Sequence, residues 1–193
     1  MRTVFRFMQI IGLVLLIICL VLALATVFNT KQAQNETPII VENINNLLPD
    51  SYSISIDEYA GHDMPAIELE GTDYIGLIEV PGFSIQLPVQ GDWENKDLAK
   101  GPCRFWGSIY NSDLIIGGKN QQAQFEFCQQ VDIGEKINII DMRGALFNLT
   151  VQKIERSSDV SFEKLSEGEY PLSLFVKEKY DDKYIIVRCG QSY

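Results

Sequence analysis

From residue 51 onward the chain is divided by glycine, proline, asparagine and aspartate into short segments, and this division limits the fold more than any other feature. Apolar or alternating segments lie at 51–56, 74–80, 83–89, 113–116, 136–141, 145–154, 172–176 and 183–189. Segments of this kind are typical of β-strands. Two short helices are predicted, at 123–131 and 161–165. Because strands outnumber helices, the spacing favours a mostly β barrel or sandwich over βαβ repeats.

The N-terminal part contains a run without any charged side chain, from residue 8 to residue 28. As a helix, a run of this length covers roughly 30 Å, the thickness of the hydrocarbon core of a bilayer. Arg2 and Arg6 precede it, and basic residues favour the cytoplasmic side of a membrane span. The sequence therefore predicts a single-pass membrane protein in four parts: a cytoplasmic N-terminus at 1–7, a signal anchor at 8–28, a polar stalk at 29–50 and an extracellular domain at 51–193.

Cleavage of the N-terminal run is the alternative to an uncleaved anchor. Residues 23–25 read Ala-Leu-Ala, which resembles a signal-peptidase site. However, the run is longer than the roughly 7–15 residues of the hydrophobic region of a signal peptide. The uncleaved anchor is therefore the preferred prediction, and it places the domain at the outer face of the cell membrane.

The chain is acidic, with 16 basic and 26 acidic residues and a net charge of −10. Arg2 and Arg6 are the only charged residues among the first thirty, so the remainder has a net charge of −12. Such a surplus keeps an exported domain soluble. It also argues against nucleic acid as a partner, because a phosphate backbone attracts basic surfaces.

Histidine and cysteine are too few and too scattered for a metal site. His62 is the only histidine, it lies in a loop, and no Cys-x-x-Cys spacing occurs, so we expect no metal and no cofactor. Beyond the anchor the cysteines are Cys103, Cys128 and Cys189, an odd number that does not suggest a disulfide framework. A bond between Cys103 and Cys189 stays open, because a sequence does not give their separation.

Several short motifs follow one another in a fixed order between residues 64 and 190. They are Met64-Pro65, Tyr74-Ile75-Gly76, Ile78-Glu79-Val80-Pro81, Leu87-Pro88-Val89, the Gly-Pro-Cys-Arg-Phe-Trp-Gly-Ser run at 101–108, and the segments 114–120, 125–127, 134–137 and 172–189. In this order, after an N-terminal anchor, they resemble the sortase domain of Gram-positive bacteria, in a form similar to classes B and D. The resemblance implies a closed eight-stranded β-barrel with one or two short helices.

The resemblance also implies a cysteine transpeptidase. Such enzymes cut a C-terminal sorting signal on a secreted protein and join it to an amine of the cell wall or of a pilin. Three side chains carry this chemistry: a cysteine thiolate attacks the peptide carbonyl, a histidine protonates the leaving amine, and an arginine holds the substrate and the oxyanion.

None of these three side chains stands at the matching positions of this sequence. In the segment 116–120, Lys119 takes the place of the histidine. The segment 172–177 ends in Lys177 where the family has its cysteine. The arginine position holds Tyr184, or Lys183 if the preceding loop is shifted by one residue. The resemblance therefore predicts a degenerate sortase with no intact catalytic residue.

The replacements do not supply the missing chemistry. A lysine near its reference pKa of about 10.4 is protonated at neutral pH, and an ammonium is not a nucleophile. Lys119 beside Lys177 is expected to lower the pKa of both amines by like-charge repulsion, but an acyl-lysine is a stable amide and turnover would stall. We therefore predict that Lys119, Lys177 and Tyr184 help to bind a secreted or surface polypeptide, such as a sorting signal or another sortase, without cleaving it.

Two other functions stay open from the sequence. One is a divergent, active transpeptidase that uses a relocated cysteine such as Cys189, or Lys177 as acyl acceptor. Cys189 lies in an apolar segment, where a buried structural thiol is the expected role. The other is a structural component of wall or pilus assembly. The two lysines would also favour an acidic peptide or a carboxylate as ligand, because paired ammonium groups attract anions.

Overall fold

The structure, a computed structural model, describes residues 12–21, 37–94, 96–98, 100–121 and 124–191. The chain divides into two compact units, Met1–Glu36 and Thr37–Tyr193. In the first unit the described residues form a helix at 12–21. The β-strands that the structure describes all belong to the second unit.

Ten strands are described in the second unit. They are β1 (Tyr52–Ser53), β2 (Ile67–Leu69), β3 (Thr72–Val80), β4 (Ile85–Gln90), β5 (Cys103–Trp106), β6 (Leu114–Gly118), β7 (Lys136–Asp141), β8 (Ala145–Ser157), β9 (Leu172–Lys177) and β10 (Tyr184–Gln191). Eight of them close into a ring in the order β3-β4-β5-β6-β9-β10-β8-β7, because β7 pairs with both β8 and β3. β1 and β2 lie outside the ring, beside β8 and β3. The predicted closed, mostly β barrel is confirmed.

Alternating side chains give the barrel an inner and an outer apolar face. On β9, Leu172, Leu174 and Val176 belong to the large core inside the barrel, whereas Phe175 belongs to a separate cluster that includes Ile115 of β6. A strand places successive side chains on opposite faces, which explains the separation. We call the second group the outer cluster. Its members come from β6, β9, β10 and the segments that cover them, and it lies under the candidate site.

The two predicted helices are short in the structure. One is a helix at Phe162–Leu165, and Ser161 caps it because its Oγ accepts a hydrogen bond from the Lys164 amide at 3.3 Å. The other, predicted at 123–131, is a 3₁₀ segment at Phe125–Gln129. Its Phe125 and Cys128 are both buried and lie three residues apart, which is the period of a 3₁₀ turn rather than of an α-helix.

One strand prediction needs correction, and two strands were missed. The strand predicted at 51–56 pairs only over Tyr52–Ser53, because the chain then enters a 3₁₀ turn at Ile56–Tyr59 that buries Ile56. β2 and β5 were not predicted. β2 has only three residues, and β5 follows a Gly-Pro pair that indicates a loop. Further 3₁₀ turns lie at Pro81–Phe83 and Ile109–Asn111.

The second half of the predicted stalk, 29–50, is part of the folded unit. A helix covers residues 37–47, in the same unit as the barrel. Its Ile40 and Ile44 are buried. They share a cluster with three barrel residues, Tyr74, Leu77 and Ile140. Apolar residues four apart fall on one helical face, so the helix packs through one apolar face.

The remaining N-terminal predictions lie largely outside the described residues. These are the cytoplasmic segment 1–7, the anchor 8–28 except for its helical residues 12–21, and residues 29–36 of the stalk. Among the residues that the structure describes, no helix is both long and apolar enough to cross a membrane.

Candidate functional site

The three positions that the sequence resemblance assigned to the sortase catalytic residues lie side by side at one end of the barrel. β6 and β9 run parallel with Gly118 opposite Val176, so Lys119 and Lys177 are the next residues along two neighbouring strands. β9 and β10 run antiparallel, and Tyr184 pairs directly with Lys177. The fold therefore brings residues 119, 177 and 184 into one row, which we call the substituted row.

Lys177 and Tyr184 project from the outer face of the barrel. Lys177 lies two residues after Phe175, and Tyr184 lies two residues before Ile186, and both of these side chains belong to the outer cluster. Side chains two apart on a strand share a face. Lys119 and Lys177 are exposed, whereas Tyr184 is half-buried against the outer cluster. The substituted row is therefore open to a ligand from outside the barrel.

The charge of Lys177 is paired within the chain. Its Nζ lies 2.9 Å from Asp182 Oδ1, and this hydrogen bond, together with the negative charge of Asp182, raises the pKa of the Lys177 amine. The expected lowering of this pKa by Lys119 is thus wrong, because the β9–β10 loop turns back and supplies a carboxylate. Lys183 is likewise paired, with Asp181 at 2.9 Å. A lysine whose pKa is raised is a poor candidate for an amine nucleophile at neutral pH.

Hydrogen bonds fix the chain after β6 to the end of β9. Asn120 Nδ2 donates to the carbonyl of Lys177 at 2.9 Å, and Gln129 Nε2 donates to Asn120 Oδ1 at 2.6 Å. The carbonyl of Lys119 accepts from the amide of Phe125 at 3.2 Å. These contacts hold the backbone of the substituted row, although its Lys119 and Lys177 side chains are exposed.

Three aromatic rings cover the outer face beside the substituted row, and we call them the aromatic cover. The ring centroids of Trp93, Phe105 and Phe175 lie 5.2–5.7 Å apart, two of the pairs edge to face. Gly117 of β6 lies under them, and a Cβ at this position would be 2.6 Å from both the Phe175 and the Trp93 rings. Only glycine leaves room for the cover, which occupies the outer face of β6 and β9.

The cysteines of the second unit are buried free thiols. Burial, and then the nearby charge of Asp92, raise the pKa of Cys103 to about 12. Burial likewise raises the pKa of Cys128 and of Cys189. Because the thiolate is the nucleophile, none of these groups is ready to attack a peptide at neutral pH. The expectation of a buried thiol at Cys189 is confirmed, and the Cys103–Cys189 bond left open by the sequence is not formed.

His62 lies in an exposed loop, as expected. Its ring meets that of Tyr59 edge to face with centroids 6.3 Å apart, and its Nδ1 lies 3.3 Å from the Tyr59 carbonyl oxygen. Over the part of the chain that the structure describes, no three His, Cys, Asp or Glu side chains are grouped so that they could hold a metal ion.

Sequence reasoning missed the buried guanidinium of Arg188. It donates to Ser173 Oγ at 2.9 Å, to the Lys164 carbonyl at 2.7 Å and to the Leu165 carbonyl, and it pairs with Glu155 at 3.3 Å. These bonds fasten the helix Phe162–Leu165 to the outer face of β9 and β10. The signal in the sequence was an arginine inside an apolar strand, where a buried charge needs partners.

Sequence reasoning also missed a cleft of about 450 Å³ on the outer side of the barrel. Its walls include Trp93, Phe105 and Trp106, and its charged residues are Asp73, Asp92 and Arg104. A second cleft, of about 630 Å³, is lined mainly by polar side chains such as Asn111, Gln152 and Gln191. The described lining of neither cleft includes a residue of the substituted row. Residues of the first cleft come from three separate segments, so no local motif indicates it.

No protein-family model matches the sequence, and no curated protein matches it. Solved structures of sortases match it by fold. Sortase A of Listeria monocytogenes gives a TM-score of 0.53 at 16% identity, over 62% of this chain and 88% of that chain. The sortase D5 transpeptidase of Clostridium perfringens gives 0.54 at 15% identity, over 63% and 80%. The lid mutant of sortase A from Corynebacterium diphtheriae gives 0.55 at 15%, over 81% and 96%. The chain therefore has the fold of the sortases.

Proposed function

We propose that this chain is a sortase-fold protein that binds a secreted or surface polypeptide without cleaving it. The observation that carries the proposal is the substituted row, where the fold brings together Lys119, Lys177 and Tyr184. A transpeptidase needs a thiol, an imidazole and a guanidinium in this arrangement. At the positions that the sequence assigned to these groups, the row has two lysines and a tyrosine.

The chemistry of Lys177 supports a role without catalysis. Peptide cleavage begins when a lone pair attacks the carbonyl carbon, and an ammonium has no lone pair to give. Asp182 raises the pKa of Lys177, so the fraction of free amine at neutral pH is smaller than for an unpaired lysine. An attack by the remaining amine would only replace one amide by another, and no second step would release the product.

The thiols support the same conclusion. A relocated cysteine would have to be ionised and reachable by the peptide, and Cys103, Cys128 and Cys189 are buried with raised pKa values. The sequence alternative of an active transpeptidase that uses Cys189 is therefore not favoured.

The proposed partner is a polypeptide because the fold is otherwise found in proteins such as the Clostridium perfringens sortase D5 transpeptidase. The partner is a sorting signal or another sortase. The proposal keeps residues 8–28 as a single-pass anchor that holds residues 51–193 at the outer face of the cell membrane. A binding role requires the barrel but not a thiol, an imidazole and a guanidinium. Recognition of a partner depends on the surface that the protein presents and not on catalytic turnover.

A transpeptidation assay tests the proposal. The full chain, purified in a non-ionic detergent, is mixed with a panel of sorting-signal peptides and an amine acceptor, and mass spectrometry follows cleavage and covalent adducts. Binding is recorded in the same samples by fluorescence anisotropy of labelled peptides. We expect binding without cleavage or adduct. The Clostridium perfringens transpeptidase serves as the active control.

Cleavage, or a covalent adduct with any peptide, would refute the proposal. The variants Cys189→Ala and Lys177→Ala then identify the reacting group, because the adduct disappears only in the variant that lacks it. If no peptide binds, the partner is not a sorting signal. The proposal then requires another sortase as partner, and co-purification of the chain with an active sortase tests it.

A further inference from the structure

The cleft beside the aromatic cover combines aromatic walls with two carboxylates. It lies where the start of β3, the end of β4 and β5 meet, and its volume is about 450 Å³. Trp93, Phe105 and Trp106 form walls, and Asp73 and Asp92 stand at its rim, both exposed. Aromatic ring faces and carboxylates attract the same kind of ligand group, a cation.

Backbone hydrogen bonds fix the carboxylate side of the cleft. The amide of Gly91 donates to the carbonyl of Asp73 at 2.8 Å, and the carbonyl of Gly91 accepts from Arg104 Nε at 3.1 Å. Asp92 Oδ1 accepts from the amide of Glu94 at 3.0 Å. The backbones of Asp73 and Asp92 are therefore held near each other through Gly91.

The chain itself places a cation on one of these rings. Lys96 Nζ lies 4.3 Å from the centroid of the Trp93 ring and 3.1 Å from the Trp93 carbonyl oxygen. A partner cation on the same face of this ring would have to displace Lys96. Arg104 also lines the cleft and keeps its positive charge, and its Nε donates to the carbonyl of Gly91. Among the charged residues that line the cleft, the two carboxylates outnumber this guanidinium.

An exposed aromatic pair extends the cleft at its mouth. The Trp106 side chain is 52% exposed and the Phe162 side chain 41% exposed, and their ring centroids lie 4.8 Å apart. Large exposed aromatic side chains are typical anchors of protein interfaces. Since the chain beyond residue 30 has a net charge of −12, long-range attraction favours a basic partner.

We propose that this cleft binds a lysine or arginine side chain of the polypeptide partner, with apolar residues next to it in sequence packing on Trp106 and Phe162. The cation lies between the carboxylates of Asp73 and Asp92 and the aromatic walls. This inference rests on the proposed binding function and adds the chemical class of the segment that is bound. The partner is a polypeptide because a charged group flanked by apolar residues fits both the cleft and the aromatic pair.

Tryptophan fluorescence provides a direct test, because Trp93 and Trp106 are the only tryptophans of the chain and both line the cleft. The probe is a short blocked peptide of glycine, serine and leucine with two lysines, added to the full chain in a non-ionic detergent. Two matched peptides carry glutamine or glutamate instead of lysine. We expect the lysine peptide to change the emission at a concentration at least about tenfold lower than the concentration that the glutamine peptide needs. We also expect added salt to weaken the binding of the lysine peptide.

Two variants assign the effect to the cleft. The double variant Asp73→Asn with Asp92→Asn removes both rim charges at constant shape. We expect it to lower the affinity for the lysine peptide about fivefold or more. Asp132→Asn with Glu135→Gln also removes two charges and is the matched control. Asp132 is exposed and lies in the turn before Glu135, whose side chain approaches Gly82 at the opposite end of β4 from Gly91. This variant should bind the peptide as the unchanged protein does.

Equal binding of the lysine, glutamine and glutamate peptides would overturn the proposal, as would an equal loss in the control variant of Asp132 and Glu135. Spermidine that binds as tightly as the lysine peptide would also overturn it, because the ligand would then be a small amine. A failure of this proposal about the cleft can be distinguished from a failure of the proposed function. Peptide cleavage is measured by mass and binding in the cleft by fluorescence, so either result can be negative while the other stands.

Discussion

Among single residues, Arg188 has the best-defined role. Its side chain has no exposed surface, and each of its donor nitrogens has a partner, among them Ser173 Oγ and the Glu155 carboxylate. A buried charge without partners is costly because the protein interior solvates it poorly. Arg188 therefore stabilises the fold only as long as the helix Phe162–Leu165 stays in contact with β9 and β10.

We expect Arg188→Met to lower the free energy of unfolding by about 3–5 kcal/mol. The Ser173 hydroxyl and the carbonyls of Lys164 and Leu165 lose their charged donor, at about 1–3 kcal/mol each, whereas Glu155 keeps its lysine partners. Urea denaturation of the full chain, followed by circular dichroism, measures the loss. Arg156→Gln is the matched control, because Arg156 also pairs with a glutamate, Glu178, but its side chain is 62% exposed. Its loss should be below about 1 kcal/mol. Similar losses in the two variants would contradict the buried role of Arg188.

The contacts around Lys119, Lys177 and Tyr184 were not predictable from the sequence. Lys119, Lys177 and Tyr184 were assigned from short motifs, each within one strand or at its end, and the strand register then placed them in one row. The partner of Lys177, Asp182, was not predicted, because it depends on how the β9–β10 loop folds back. The cleft at Trp93 was missed for a similar reason, since its walls come from distant segments.

Among the secondary-structure elements, the helix at 37–47 changes the boundary of the domain. Ile44 of this helix has no exposed surface and lies in a cluster with Tyr74, Leu77 and other barrel residues. Thr37 Oγ1 donates to the carbonyl of Lys100 at 3.2 Å and fixes the first turn. The helix is therefore part of the fold. Its polar composition suggested a stalk because only one of its faces is apolar.

We expect Ile44→Ala to destabilise the second unit by about 2–5 kcal/mol, because the substitution removes buried methyl groups and leaves a cavity against the barrel. Ile39→Ala is the matched control on the same helix, since Ile39 is 57% exposed, and its effect should stay within about 0.5 kcal/mol. Urea denaturation measures both. If Ile44→Ala were as mild as its control, the helix would not be packed on the barrel.

The sequence predicted strands more reliably where they are long and apolar. β7 was predicted at its observed bounds, and β3, β8, β9 and β10 within a few residues, because each has a clear apolar pattern between turn residues. β2 and β5 were missed, since three or four residues carry too little periodicity to be recognised. The end of the strand at 51–56 was placed too late because burial of Ile56 in a 3₁₀ turn, rather than sheet pairing, decides that stretch.

For the whole molecule, closure of the strand ring determines which side chains lie together in the substituted row. β6 and β9 are separated by more than fifty residues in sequence and become neighbours only because the ring runs β5-β6-β9-β10. The same closure aligns Tyr184 with Lys177 across β9 and β10. The ring thus sets Lys119, Lys177 and Tyr184 in one row. In the proposed function, the absence of a thiol, an imidazole and a guanidinium belongs to these side chains and not to the fold.

If the strand register holds residues 177 and 184 opposite each other, interacting reactive groups can be introduced at these two positions. We expect the thiol introduced by Lys177→Cys to have its pKa lowered by about 0.5–1 unit when Tyr184→Arg is added, because a guanidinium directly opposite stabilises the thiolate. The rate of alkylation by iodoacetamide against pH, with the adduct located by mass spectrometry, measures the pKa. The buried Cys103, Cys128 and Cys189 should not react on this timescale.

The control for Tyr184→Arg must add one positive charge at a position that is not opposite residue 177. Tyr180→Arg does so, since Tyr180 is 92% exposed in the β9–β10 loop and has no partner position opposite Lys177 in the strand pairing. At about 0.15 M salt the charge on such a side chain is largely screened from the thiol, so its effect on the pKa should be smaller. If Tyr180→Arg lowered the pKa as much as Tyr184→Arg, net charge alone would explain the shift. If Tyr184→Arg had no effect, positions 177 and 184 would not face each other in solution, and the row would not be a platform for such chemistry.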